Sequence, residues 1–249
     1  MPSTEREEAG MSTEPIERTL DEQKQAAAEM AVEECVSDGM LVGLGTGSTA
    51  ACAVRSIGER LGDGRLRGVR GVATSRQTEE LAAQAGVPLE EDGEPDVVID
   101  GADEISPSLD LIKGLGGALL REKIIADSAR QQPALIIVAD DSKLVDALGD
   151  GPLPVEVEPF GWRATLRALQ SLGCEATPRT GEDERPLHTD GGHLTMDCRF
   201  GHITDPASLD ARIKRIPGAI DTGLFVGMTR AVYVADRSSL RILTPIHSP

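Results

Sequence analysis

The stretch Met40-Leu-Val-Gly43-Leu-Gly45-Thr-Gly47-Ser-Thr49 connects a short apolar run to a helix-like segment that extends to about Leu61. The apolar run predicts a buried strand, and the alternating glycines allow the chain to turn closely into the helix. A glycine loop at a helix N-terminus binds anions, because free N–H groups and the helix dipole both favour negative charge. A tight turn without a ligand is the alternative interpretation, but we favour a phosphate-binding loop.

Strands and helices alternate on both sides of this loop. Thr19 and Glu22 form a capping-box pattern, and Ser75 is suitably placed to cap a later helix. The pattern predicts further strands at 69–73, 96–99 and 134–139, a helix that starts at the capping box and continues through 26–36, and further helices at 76–85 and 118–129. Nearly continuous apolar strands separated by helices are typical of an α/β fold with a doubly wound, mostly parallel sheet. Ligands of such sheets bind beyond the carboxyl ends of the strands.

The order of predicted elements changes at Leu153. A strand (154–157), a helix (162–172), two strands (174–179 and 193–200), a helix (207–213) and a strand (219–226) follow. This βαββαβ order is that of a smaller, α+β ferredoxin-like unit. Strands at 232–235 and 240–243 are then expected to rejoin the first sheet. We therefore predict a disordered acidic tail at 1–18, a catalytic α/β domain formed by 19–152 and 229–249, and an inserted ferredoxin-like domain at 153–228.

The composition excludes several classes of protein. A formal net charge of −17 argues against nucleic acid as a partner, because phosphate backbones are bound by excess lysine and arginine. The sequence contains no apolar run of about 18 residues, so we expect no membrane span. The polar start of the chain lacks the apolar core of a signal peptide, and Met11 could be an alternative start. An acidic, lysine-poor composition predicts a salt-adapted protein of the cytoplasm.

The cysteines and histidines do not form a metal-binding or redox motif. The cysteines, which have no CxxC spacing, are Cys35, Cys52, Cys174 and Cys198. We expect them to be buried as small apolar side chains in a reducing compartment. The histidines lack HxxH spacing and are expected at the surface or in loops. The sequence therefore predicts no metal site built on these residues.

Two charged segments follow predicted strands. Asp100-Gly-Ala-Asp103-Glu104 ends the strand at 96–99, and Lys113-Gly-Leu-Gly-Gly-Ala-Leu-Leu-Arg-Glu122 leads into the next helix. Carboxylates, one ammonium group and the N–H groups of a glycine loop at one sheet edge suit proton transfer on a small anionic substrate. Alternatively, the aspartates could bind Mg²⁺ or cap a turn, and Glu122 could only stabilise the helix dipole. Lys143 also follows a strand, although such a lysine is often simply solvated.

A nicotinamide cofactor is the main rival for the glycine loop. Its binding sites have GxGxxG spacing and an acidic residue after the second strand, which holds the ribose hydroxyls. Here the spacing is GxGxG, and Ala73-Thr74-Ser75 occupies the position of the acid. The sequence therefore disfavours a dehydrogenase.

Taken together, these segments resemble the ribose-5-phosphate isomerase type A family. The resemblance is carried by 43–49, 100–104, 113–123 and 141–143, and also by 152–156, 216–218 and 223–225. It covers nearly the whole chain after residue 19. Leu115 and Leu120 depart from the family, which usually has glycine and threonine at these positions. The catalytic side chains are intact.

The resemblance implies reversible interconversion of ribose 5-phosphate and ribulose 5-phosphate without a metal or organic cofactor. Glu122 would be the general base, and Lys113 with the loop amides would stabilise an enediolate. Asp100 and Asp103 would hold sugar hydroxyls and assist ring opening or proton shuttling. The substrate-binding residues would be Thr46, Gly47, Ser48, Thr49, Gly101, Ala102, Gly114, Leu115, Gly116, Lys143 and Lys24.

The resemblance also implies a homo-oligomer, either a dimer or a tetramer, whose only other partner is a small pentose phosphate. A second class of protein stays open, because some sugar-phosphate-sensing domains of transcription regulators share this kind of fold. Such sensors carry a basic helix-turn-helix arm. This chain has only a short acidic tail before residue 19, so we rank the sensor below the enzyme and the dehydrogenase third.

Overall fold

The computed structural model describes residues 17–182 and 184–245. In chain order its helices and strands are α1 (Leu20–Cys35), β1 (Leu41–Leu44), α2 (Ser48–Gly62), β2 (Arg70–Ala73), α3 (Arg76–Ala85), β3 (Val97–Asp100), β4 (Glu104–Ile105), β5 (Leu111–Ile112), α4 (Leu119–Asp127), β6 (Leu135–Asp140), β7 (Leu153–Val157), α5 (Trp162–Gln170), β8 (Glu175–Pro178), β9 (Leu194–Arg199), α6 (Pro206–Ile213), β10 (Ala219–Thr222), β11 (Leu224–Phe225), β12 (Thr229–Ala235) and β13 (Leu240–Leu243). A 3-10 turn, Asp141–Lys143, follows β6. The predicted tail at 1–18 and Met11 lie outside the described residues, except for the last two positions of the tail.

Six strands form the central sheet, in the order β13-β12-β6-β3-β1-β2. Neighbouring strands are parallel except for β13, which is antiparallel to β12. Every residue of β1, β3 and β6 is buried, as expected for a parallel sheet covered on both faces. The predicted doubly wound α/β fold is confirmed. The carboxyl ends of β1, β3 and β6 lie side by side at one edge.

Alternate residues of the central sheet enter two separate cores. Ile136 and Val138 of β6 pack in one core with Ala27 of α1 and Ile57 of α2. Ile137 packs on the other face, in a core that includes residues of α4. This alternation follows from the two-residue period of a strand, which points successive side chains to opposite faces.

Local capping signals agree with the observed helix ends. Thr19 caps α1 in a full capping box, because its N–H donates to the Glu22 carboxylate and its hydroxyl accepts from the Glu22 N–H. The Ser75 hydroxyl accepts from the Thr78 N–H and caps α3. Both predicted caps are confirmed. Among the described residues, no helix combines the length and the apolar character needed to cross a bilayer.

A second, antiparallel sheet has the strand order β10-β7-β9-β8. With α5 and α6, its strands follow one another as βαββαβ, the order predicted for a ferredoxin-like unit. Its own core contains Val155, Leu169, Met196 and Ile213. The exact domain limits, 153 and 228, stay a prediction.

The strand predicted at 219–226 is in fact two short strands. Gly223 separates β10 from β11, and β11 pairs with β5 in a third sheet, of order β11-β5-β4. The Gly223 carbonyl accepts from the Lys113 N–H at 2.9 Å, and the Gly223 N–H donates to Pro154. A Cβ at position 223 would lie 2.2 Å from the Lys113 carbonyl oxygen, so only glycine fits. This long-range pairing attaches the second unit to the segment that carries Lys113.

Candidate active site

A buried cluster of three charged side chains lies beyond the carboxyl ends of the central strands. Asp100 is the last residue of β3, Lys113 follows β5, and Glu122 lies in the first turn of α4. Lys113 Nζ is 2.8 Å from Asp100 Oδ2 and 3.2 Å from Glu122 Oε2, and it donates to the Gly101 carbonyl at 2.7 Å. None of the three side chains is more than 3% exposed.

One buried cation faces two buried carboxylates, and this imbalance alters their acidity. Burial, reinforced by the charge of Asp100, raises the pKa of Glu122 to about 8, although Lys113 opposes the rise. Burial also raises the pKa of Asp100, again against Lys113. Burial opposes the charged form of Lys113, but the two carboxylates raise its pKa above the ordinary value and keep it protonated. Such a cluster holds a mobile proton close to neutral pH.

One buried oxygen of each carboxylate lies beside Lys113 without a hydrogen bond of good geometry from any described residue. Asp100 Oδ1 accepts from the N–H groups of Thr46 and Gly101, at 3.1 and 2.7 Å. Asp100 Oδ2 and Glu122 Oε2 are buried and lie close to Lys113, yet no donor among the described residues meets them in hydrogen-bond geometry. Buried carboxylate oxygens are normally hydrogen-bonded, so these two are satisfied mainly by the charge of Lys113.

The glycine loop after Lys113, residues 114–117, uses some of its N–H groups within the protein and leaves others free. Gly114 and Gly117 have φ angles of +103° and +81°, which favour glycine. The Leu115 N–H donates to Asp103 Oδ2 at 2.9 Å, so it is not free to bind a substrate. No acceptor among the described residues takes the N–H groups of Gly114 or Gly116. These two amides can therefore donate to a ligand.

The first glycine loop forms a cradle at the N-terminus of α2. Gly47 is the N-cap residue with a φ angle of +113°, and no side chain caps the helix. A Cβ at Gly45 would lie 2.0 Å from Asp100 Oδ1, so this position brings the loop backbone against the carboxylate. The free N–H groups of the first turn suit an anion. Lys24 from α1 and Lys143 from the 3-10 turn line the same cavity and add positive charge.

This cavity has a volume of about 240 Å³ and contains most of the residues predicted from the sequence. Those that line it are Thr46, Gly47, Ser48, Thr49, Gly101, Ala102, Asp103, Lys113, Gly114, Gly116, Glu122, Lys143 and Lys24. Asp100 does not line it and lies behind Lys113. Leu115 does not line it either; its side chain is 46% exposed and faces a neighbouring cavity of about 310 Å³.

Three residues of the lining were not predicted: Leu20, Asp140 and Ser142. Asp140 ends β6, so the rule on strand ends could have found it. Its Oδ1 accepts from the Ser142 N–H at 3.1 Å and from the Ser142 hydroxyl. No local signal marks Leu20, because only the packing of α1 against the sheet brings it to the cavity.

Two alternative interpretations of the motifs can now be compared with the structure. Glu104 is buried and accepts from the N–H groups of Gly149 and Gly151, at 2.6 and 2.5 Å, so it secures a loop. Within the part of the chain that the structure describes, no group of three or more candidate ligands could hold a metal ion. At the end of β2, the Thr74 and Ser75 hydroxyls lie 2.8 Å from the Thr46 hydroxyl, where a dinucleotide site would need an acid.

Comparison with known proteins gives consistent matches. A model of the family ribose 5-phosphate isomerase A (phosphoriboisomerase A) matches residues 70–239. A ribose-5-phosphate isomerase A from Gloeobacter violaceus is 54% identical over 235 residues, which cover 92% of this chain and 99% of that relative.

Solved structures show the same similarity. Ribose 5-phosphate isomerase A from Methanocaldococcus jannaschii superposes with a TM-score of 0.84 at 38% identity, covering 91% of this chain and all of that one. A D-ribose-5-phosphate isomerase in complex with phospho-erythronic acid superposes with a TM-score of 0.87 at 37% identity and equal coverage.

Proposed function

The chain belongs to the ribose 5-phosphate isomerase A family and is a ribose-5-phosphate isomerase, and we propose that it works through an enediolate with Glu122 as the general base. The reaction would interconvert D-ribose 5-phosphate and D-ribulose 5-phosphate. The observation that carries this proposal is the buried cluster in which Glu122 lines the cavity beside Lys113 and has a pKa raised to about 8. A general base is most effective when its pKa lies near the working pH.

The proton transfers follow from the positions of the charged groups. In the open-chain aldose, the Glu122 carboxylate removes the proton from C2, and the electron pair forms the C1–C2 double bond while the C1 oxygen becomes negative. Glu122 then returns the proton to C1. The hydroxyl proton moves from the C2 oxygen to the C1 oxygen, which leaves the ketone at C2. No oxidant or cofactor enters this balance.

Positive and donor groups would stabilise the enediolate. Lys113 lies at the cavity with its charge maintained by Asp100, and the N–H groups of Gly114 and Gly116 are free to donate. In comparable oxyanion sites each donor is worth about 3–4 kcal/mol. These contacts strengthen only as negative charge develops on oxygen, so they lower the barrier rather than merely bind the substrate.

The two aspartates have different surroundings, which supports different roles. Asp103 lines the cavity, and one of its oxygens already accepts from Leu115. We assign it to a sugar hydroxyl and to proton movement between the substrate oxygens, or to ring opening. Asp100 does not reach the cavity, and its contacts with Lys113, Thr46 and Gly101 support an indirect role. It would hold the lysine charged and the two loops in position.

The phosphate would bind at the N-terminus of α2. Gly47, Ser48 and Thr49 offer backbone N–H groups there, and Lys24 and Lys143 offer charge. On a protein whose net charge is −17, the attraction for the phosphate would therefore come from these local N–H groups and lysines and not from the overall charge.

We also propose the properties that a member of this family implies for this chain. The enzyme would act in the pentose phosphate pathway, in the cytoplasm, as a homodimer or tetramer, and its acidic composition would be an adaptation to salt. Light scattering of the purified protein at several salt concentrations would test the oligomeric state. A monomer that is fully active would contradict it.

The decisive test compares wild type with Glu122→Gln. The wild type should convert ribose 5-phosphate to ribulose 5-phosphate in the presence of EDTA and without added nicotinamide. Glu122→Gln keeps the size of the side chain but cannot act as a base, so turnover should fall about a hundred- to ten-thousand-fold with KM largely unchanged. Near-normal turnover would remove Glu122 from the role of base.

A matched control is Glu59→Gln, which changes an exposed glutamate on α2. It should leave both kcat and KM unchanged. A wild-type protein that binds ribose 5-phosphate by calorimetry but does not convert it would instead support a sugar-phosphate sensor.

A further inference from the structure

The Arg179 side chain connects the second sheet to the glycine loop after Lys113. Its Nε and Nη2 donate to the two carboxylate oxygens of Asp197, at 3.0 and 2.5 Å. Its Nη1 donates to the carbonyl oxygens of Gly114 and Leu115, at 3.0 and 2.9 Å. The guanidinium therefore holds Asp197 of β9 on one side and two consecutive loop carbonyls on the other.

These contacts determine how two peptide groups of the loop are oriented. The peptide between Gly114 and Leu115 is held from both sides, because its carbonyl accepts from Arg179 and its N–H donates to Asp103. The next peptide has its carbonyl, that of Leu115, on Arg179. A trans peptide directs its N–H opposite to its carbonyl, so the Gly116 N–H points away from Arg179. Gly116 lines the active-site cavity, and its N–H has no acceptor among the described residues.

Apart from these contacts, a turn hydrogen bond from the Gly117 N–H to the Gly114 carbonyl, at 3.0 Å, is the only backbone bond within the loop among the described residues. Of the residues from Gly114 to Gly117, three are glycine, and two of these have positive φ angles. Glycine gains the most conformational freedom when it is released, so a donor carried by such a loop is only as well oriented as its anchors. An N–H that must meet a developing oxyanion requires a fixed direction before the reaction starts.

We propose that Arg179 is a positioning residue for the isomerase reaction, which orients the Gly116 N–H toward the oxygen that becomes negative in the enediolate. This inference rests on the proposed function. Arg179 does not line the active-site cavity but the neighbouring one of about 310 Å³, so it acts through the loop. Its charge is balanced by Asp197 in a two-pronged ion pair, so its effect is one of geometry rather than of attraction for the substrate.

The chemistry of the contact requires arginine. A planar guanidinium can donate to a carboxylate with one edge and to two carbonyls with another nitrogen. The ammonium of a lysine is a point charge on a flexible chain and cannot reproduce this arrangement. Methionine retains much of the apolar stem and removes every donor. Both substitutions should therefore release the loop.

The test measures Arg179→Met and Arg179→Lys beside Arg199→Met. Arg199 ends β9 in the same sheet, is exposed and has no ion pair among the described residues, so it is a matched control. For both Arg179 variants, kcat with ribose 5-phosphate should fall about a hundredfold, the loss typical of a displaced reacting group. KM should change less than threefold, and the midpoint of the pH profile should not move, because Glu122 and Lys113 are unchanged. Arg199→Met should match wild type.

A second measurement does not depend on turnover. Hydrogen exchange of the peptide covering 113–118 in the ligand-free protein should become faster in both Arg179 variants and not in Arg199→Met. Exchange in β7 and β9 should stay at the wild-type rate, which shows that the second sheet is folded.

Three outcomes would overturn the inference. One is a kcat of Arg179→Met equal to that of Arg199→Met. Another is a loss of kcat with unchanged exchange at 113–118. The third is fast exchange throughout the second sheet, which would make Arg179 a folding residue. If wild type itself lacked isomerase activity, the proposed function would fail, but the exchange result would still report whether Arg179 holds the loop.

Discussion

Lys113 and Lys143 line the same cavity in opposite surroundings. Lys113 is 3% exposed and lies between two carboxylates, whereas Lys143 is half-buried and has no ion-pair partner among the described residues. Burial makes the first lysine part of a cluster whose proton affinities are far from ordinary. Partial exposure leaves the charge of the second lysine within reach of water and salt. The comparison teaches that the same residue type can serve the reaction or bind the phosphate. The dielectric environment of each lysine, buried or partly exposed, makes the difference.

The largest effect is expected for Lys113→Met, which tests whether the buried lysine acts in the chemical step. The substitution leaves two buried carboxylates without a cation and removes a donor to the enediolate, so kcat should fall about a hundred- to a thousandfold. The remaining carboxylates should bind protons more tightly, which would shift the pH profile upward. Initial rates across a pH series measure both effects.

Lys123→Met is the matched control for that variant. Lys123 is also buried and ion-paired, to Asp221 at 2.6 Å, and like Lys113 it contacts the Phe225 ring, but it does not line the active-site cavity. Its substitution should lower the melting temperature while kcat falls far less than in Lys113→Met. Equal losses of kcat would mean that burial of a cation, not its position at the cavity, is what matters.

The pH dependence of activity tests the buried side of the comparison. Because the pKa of Glu122 is raised to about 8 and a base acts in its deprotonated form, kcat/KM should rise with pH up to about that value. The slope should be roughly tenfold per pH unit below it. A profile already flat at pH 6 would show that Glu122 is ionised in the free enzyme and that burial does not raise its pKa.

The same shift in pKa affects stability. The folded protein keeps the Glu122 proton to about pH 8, whereas the ordinary value is 4.5, so the folded state binds more protons between these limits. The contribution of Glu122 to the free energy of unfolding therefore falls as pH rises through this window. Denaturant titrations of wild type and Glu122→Gln should diverge with pH, and parallel curves would contradict the shift.

Lys143→Ala tests whether the half-buried lysine binds the phosphate. A hydrogen bond to a charged group is worth roughly 1.5–3 kcal/mol, so KM should rise about tenfold or more while kcat changes little. The phosphate contact is made equally in the bound substrate and in the transition state, which is why the loss should appear in KM. A mainly kcat effect would place Lys143 in the chemical step.

The smallest expected effect is that of salt. Raising the ionic strength to about 1 M shortens the screening length to about 3 Å, so KM should rise a few-fold while kcat stays constant. The half-buried lysines of the cradle, Lys24 and Lys143, are screened, whereas the protein shields Lys113 from ions. A fall in kcat that parallels the rise in KM would show that salt reaches the buried cluster.

Much of the fold was predictable because its signals are local. The caps at Thr19 and Ser75, the strand periods and the glycine loops each depend on neighbouring residues, and the structure has them close to the predicted positions. The order βαββαβ was predicted from the same signals. The division of the last strand into β10 and β11 at Gly223 was not predicted, because it depends on contacts with Lys113 and Pro154, which are distant in sequence.

The candidate site divides in the same way. Strand ends pointed to Asp100, Asp103 and Lys143, since parallel strands end at one edge of the sheet. The sequence could not show which aspartate reaches the cavity, because this depends on where the chain turns after β3 and on contacts with distant residues. Arg179 gave no signal, since it contacts Gly114 across 65 residues of chain.

The amino-acid sequence alone determined the residue types at the site, the alternation of elements and the family that the chain resembles. Each of these depends on short-range spacing. The tertiary structure alone decided that Glu122, Asp100 and Lys113 are buried against one another, that the Leu115 N–H already has an acceptor, and that a guanidinium from the second sheet holds the loop. The physical reason is that burial and hydrogen-bond direction arise only when distant segments pack together, and these two quantities set the proton affinities and the free donors of the site.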